Sequence, residues 1–161
     1  MRPPAAEPVA TFHPASSDAG APLFIGTAGW SLPRASPPPF TTGADSPAEP
    51  HLARYARQLT AVEINSSFYR PHQRATYQRW AAATPAGFRF CVKLPRSITH
   101  DARLQDANAL LQTFVDQASG LGDRLGCLLL QLPPSLALDA PVARASFASL
   151  RRLLPGGVRL A

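Results

Sequence analysis

A carboxylate, an ammonium and an imidazole follow one another along the middle of the chain at Glu63, Lys93 and His100. Each sits in or just past a short apolar run, where a strand hands over to a loop. A carboxylate held by a lysine suits general base chemistry, and a lysine so placed also suits an anionic ligand. The same pair could instead be a structural plug that satisfies polar groups inside a sheet. His100, in Ser97-Ile98-Thr99-His100-Asp101, could act as acid, base or metal ligand near neutral pH, or could cap the following helix with Asp101. Glu63, Lys93 and His100 are therefore the candidate catalytic residues.

Trp30, Asn65, Tyr69, Arg70, Arg96 and Gln131 are the candidate ligand-binding residues. Trp30, Phe68 and Tyr69 could form an aromatic wall for a sugar or a base, or could simply pack. Arg34, Arg70, Lys93 and Arg96 would gather on one rim and suit a phosphate-bearing ligand. His72 is a weaker candidate. A metal site needs three or more converging donors, and Glu63 with His100 is too few. The chain has no Gly-rich phosphate loop and no Ser-His-Asp signature, so no cofactor is assigned. Cys91 and Cys127 lie inside apolar runs without a CxxC spacing. They read as buried free thiols, with a disulfide between neighbouring strands as the alternative.

The elements that must position these residues alternate in type. Residues 23–27 form a short apolar run, a candidate first strand. A Pro-rich loop follows to residue 45. Ser46, Pro47 and Glu49 then make a helix start with a capping box, and the helix is expected to reach residue 59. Strands are expected at 61–65, 88–94, 127–132 and from 158, and helices at 74–83, 101–119 and 142–154. Leu104, Ala107, Leu111, Phe114 and Ala118 make the inner stripe of the long helix, and Val142, Phe147, Leu150 and Leu154 that of the last one.

Such alternation implies parallel strands joined by right-handed crossovers. Two closures compete, a (β/α)₈ barrel and a doubly wound open sheet. Residue parity separates them. Glu63 and Asn65 share one strand face while Val62 and Ile64 take the other. Arg89, Cys91 and Lys93 oppose Phe88, Phe90 and Val92; Cys127, Leu129 and Gln131 oppose Leu128, Leu130 and Leu132. Each strand thus has one purely apolar face and one mixed face that turns polar toward its C-terminal end. A doubly wound sheet needs both faces apolar. A barrel needs one, and its mouth collects the polar residues. Adjacent strands would bring Glu63 to Lys93 there as an ion pair, because either charge buried alone is costly.

Composition sets the remaining bounds. With 161 residues, of which 45% are hydrophobic, the chain suffices for a soluble domain with a core. No apolar run approaches the length of a membrane helix, and residues 1–21, rich in Pro and Ala, lack the apolar centre of a signal peptide. They read as a disordered tail on a cytoplasmic protein, with 22–161 as the folded part. The net charge of +6 is carried by scattered arginines, Lys93 being the one lysine. That permits an anionic partner without establishing one.

Four stretches in order, IGTAGWS at 25–31, VEINSSFYR at 62–70, FRFCVKLPRSITHD at 88–101 and LGCLLLQLPPS at 125–135, resemble the YecE-like family, known as domain of unknown function 72. The resemblance implies a TIM-type barrel and brings no settled activity with it. It has two departures. The loop SLPRASPPPFTTG lacks the family's aromatic residues, and the chain ends at Ala161, before the Glu-x-Arg-His type motif of the family's fifth strand. The expectation is the first four βα units and the start of strand five. The mouth suits a small anionic, phosphorylated or sugar-like ligand turned over by an enzyme. A nucleic-acid-binding barrel using the Arg-rich rim is a second expectation. A truncated remnant without independent activity, self-associating through open strand edges, is a third.

Overall fold

The structure is a computed structural model that describes residues 22–31, 51–137 and 139–161. The tail at 1–21, Arg34 and the proposed helix start at Ser46, Pro47 and Glu49 lie outside the described residues. A short helix α1 (His51–Tyr55) enters β1 (Ala61–Ile64), and α2 (Ser66–Tyr69) and α3 (Arg74–Ala82) lead to β2 (Arg89–Lys93). A π-helical turn (Ser97–Asp101), α4 (Asn108–Ala118) and a 3₁₀ segment (Ser119–Arg124) lead to β3 (Leu125–Leu129). Helix α5 (Ala140–Leu153) precedes β4 (Arg159–Leu160). The strands are parallel and lie in the order β1-β2-β3-β4.

The parity read from the sequence governs burial. Val62, Ile64, Phe90, Val92 and Leu128 are fully buried in one core with Tyr77, Leu111, Phe114, Ala118 and Leu150 from the helices. Glu63, Cys91, Lys93, Cys127 and Leu129, on the opposite face, are half-buried. The helical layer therefore covers one face of the sheet.

The expected first strand is only partly regular. Residues 23–29 run along β1, with Ala61 N donating to Ile25 O at 3.0 Å, Glu63 N to Thr27 O at 2.9 Å and Gly29 N to Glu63 O at 2.9 Å. Where the ladder would join Thr27 N to Ala61 O, the buried Tyr55 hydroxyl stands between them. It accepts from Thr27 N at 2.8 Å and donates to Ala61 O at 3.0 Å. The pairing is thus reduced to a single bridge, Ala28 to Glu63. Gly26 passes so close to β1 that a Cβ there would fall on the Ala61 carbonyl.

Two helices differ from expectation. The stripe Leu104, Ala107, Leu111, Phe114 and Ala118 is buried throughout, yet α4 starts only at Asn108. Arg103, Leu104 and Asp106 have φ of 51°, 66° and 48°, in the left-handed region, which no α-helix can include. In α5, Asp139 caps the start by accepting from Val142 N at 3.1 Å. Its buried face is Ala143, Ser146, Ser149 and Leu150, and Phe147 is 42% exposed rather than inward. The small residues admit a close approach, and the Ser146 hydroxyl donates to Leu104 O at 3.1 Å. Among the described residues no helix is long and apolar enough to cross a membrane.

Candidate functional site at the C-terminal end of the sheet

The tops of β1 and β2 are tied by one buried hydroxyl. Ser67 Oγ lies 2.8 Å from Ile64 O and 2.6 Å from Lys93 O, its one proton shared between the two carbonyls, and the residue is 1% exposed. This fixes α2 over the strand ends and sets Phe68 beside Lys93. The Lys93 ammonium stands 4.7 Å from the centre of the Phe68 ring. The rings of Tyr69 and His100 meet the same Phe68 edge-on, each at 4.9 Å. Three sequence-predicted residues, Lys93, Tyr69 and His100, thus converge on one aromatic ring.

His100 is oriented from beneath. Buried Thr99 donates to Pro95 O at 3.3 Å, and its Oγ1 lies 2.8 Å from His100 Nδ1. That contact, with the edge-on Phe68 ring, orients the imidazole. Asn65, the residue after β1, carries a buried Oδ1 with no hydrogen-bond partner. An acceptor in that condition is uncommon and is suited to a donor brought by a ligand.

The expected ion pair between Glu63 and Lys93 does not form. The register sets Glu63 opposite Cys91, two residues before Lys93, so the two side chains stand at different levels of the sheet. Lys93 takes the Phe68 ring instead, a cation–π contact. The expected rim also divides. Arg96 pairs with Asp101 at 3.2 Å between two exposed side chains, and Gln131 is exposed beyond β3. Tyr69 is 75% exposed.

The expected aromatic wall divides as well. Trp30 turns to Trp80, with ring centres 5.1 Å apart, away from Phe68 and Tyr69. Trp80 also meets His72 at 5.0 Å, and His72 Nε2 lies 2.8 Å from Ser66 Oγ. Burial first, and the Arg70 guanidinium second, hold the His72 imidazole below its ordinary 6.5. No local motif announces this Ser66–His72 contact, since the two residues belong to different turns. Among the described residues no three His, Cys, Asp or Glu side chains gather as a metal cluster.

Comparison with known proteins agrees with this frame. The family described as "Protein of unknown function DUF72" matches residues 24–161. The UPF0759 protein YecE of Escherichia coli strain K12 is 34% identical over 111 residues, which are 69% of this chain and 38% of that protein. The chain thus spans well under half the length of this curated relative. A DUF72 family protein from Thermotoga maritima superposes with a TM-score of 0.59 at 23% identity, covering 86% of this chain and 54% of that one. A DUF72 family protein from Enterococcus faecalis gives 0.56 at 20% identity, covering 68% of this chain and 42% of that one. The two structures share the fold with this chain.

Proposed function

The chain belongs to the DUF72 family, and from that premise we propose that its first segment and four parallel strands are the first four βα units and the start of strand five of a (β/α)₈ barrel, in the cytoplasm, whose mouth binds a small phosphorylated or sugar-like ligand. The consecutive strand order and the single helix-covered face support the barrel. In this reading Lys93 holds the negative charge, and His100 serves as proton acceptor. Glu63 lies one level deeper and tunes the site by its charge. Tyr69 and Arg70 border the ligand.

The observation that carries the reading is the buried Asn65 Oδ1 without a donor, at the same strand ends as Lys93. A ligand hydroxyl would satisfy it while Lys93 takes the anionic group. The test is calorimetric titration of the chain with inorganic phosphate, a pentose phosphate and a short oligonucleotide. Binding of the pentose phosphate that weakens at least about tenfold in Lys93→Ala, a loss of about 1.4 kcal/mol, is expected. Equal binding to a folded Lys93→Ala chain, or binding of the oligonucleotide alone with a steep salt dependence, would overturn it.

A further inference from the structure

Half-way along the sheet, one row of side chains crosses all four strands on the face turned away from the helices. The register sets Glu63 beside Cys91, Cys91 beside Cys127, and Cys127 beside Arg159. Residues in register on neighbouring strands, about 4.8 Å apart, project to the same side, so the two thiols stand next to each other. Both are free and half-buried. The Cys127 thiol reaches the Leu128 carbonyl at 3.5 Å. The proposed ligand site at the strand ends uses neither cysteine.

We propose that Cys91 and Cys127 form a two-thiolate site for a soft monovalent cation, copper(I). The donor count selects the ion. Two sulfurs are too few for zinc, which takes three or four protein ligands, and no third His, Cys, Asp or Glu joins them among the described residues. Copper(I) prefers thiolates and is satisfied by two of them. Binding converts two thiols and Cu⁺ into a bis-thiolate complex of net charge −1 and releases two protons. Arg159, next in the row, lies beside Cys127 where that charge builds.

Arg159 and Arg151 bring positive charge to the Cys127 side of the pair. Both cysteines are free rather than joined to each other, which leaves both sulfurs to a metal.

The test titrates the reduced chain with copper(I) buffered by a competing chromogenic chelator. The wild-type chain is expected to withdraw one copper ion, and Cys91→Ser, Cys127→Ser and the double variant to lose that binding while keeping the wild-type circular dichroism. In the wild-type chain alone, copper(I) is expected to protect both cysteines from alkylation, read by peptide mass spectrometry. Wild-type binding no stronger than that of the double variant, full binding by either single variant, or alkylation unchanged by copper would overturn the proposal.

Discussion

Two side chains at the strand ends have measurable roles apart from any ligand. Ser67 is buried and joins the carbonyls of Ile64 and Lys93. Ser67→Ala removes the donor that they share and is expected to cost about 1–3 kcal/mol in denaturant unfolding. His72 resists protonation in the folded chain, because burial and Arg70 lower its pKa from 6.5. Below that value the unfolded chain takes the proton more readily, so this contribution is complete above pH 6.5 and is lost as the pH falls through the folded-state value. The melting temperature of the wild type is therefore expected to fall more steeply on acidification than that of His72→Gln; parallel curves would remove this role. Lys93 and His100 were legible as candidates because Lys93 closes a strand and His100 lies in the turn that follows it. Their meeting on Phe68 was not, because it depends on how α2 is tied down by Ser67. The failed Glu63–Lys93 pair has the same origin: parity tells which face a residue takes, and register tells at what level.

Strands proved easier to read than helix starts. Period-two alternation marks a strand from its own residues, and β1 and β2 fall where Val62, Ile64, Phe90 and Val92 put them. The stripe of α4 was legible for the same reason, since Leu104 and Ala107 are buried whether their backbone is helical or not. The left-handed residues ahead of α4 carry no such mark. Arg103 is exposed at φ 51°, and Arg103→Gly is expected to stabilise the chain by about 0.5–1 kcal/mol, seen as a higher unfolding midpoint. An unchanged or lower midpoint would mean that the arginine side chain supports the turn. Gly26→Ala drives a methyl into the Ala61 carbonyl and is expected to detach residues 23–29 from β1, with faster amide exchange at Ala61 and Glu63. Exchange unchanged at those two amides would contradict this pairing.

Over the whole molecule, the parallel α/β class was legible from alternation alone. The side-chain splice of Tyr55 into the first strand was not, because it joins residues about thirty positions apart. One face of the sheet lies under helices and the other bears its polar row, with β4 at an edge among the described strands. Unpaired edges invite pairing with another copy. Light scattering is expected to show a mass that rises with concentration, and a constant monomer mass across the range would remove edge pairing between copies.

The chain has two tryptophans, and they are in contact: Trp30, on the first segment, stands edge-on to Trp80 of α3 at 5.1 Å. Their indole emission is therefore an optical gauge of a single event, the seating of the first segment against α3. A shift in emission that precedes the loss of helical signal on heating would show that segment leaving before the sheet melts. Tryptophan emission would then follow the first strand separately from the rest of the fold, without any label being added.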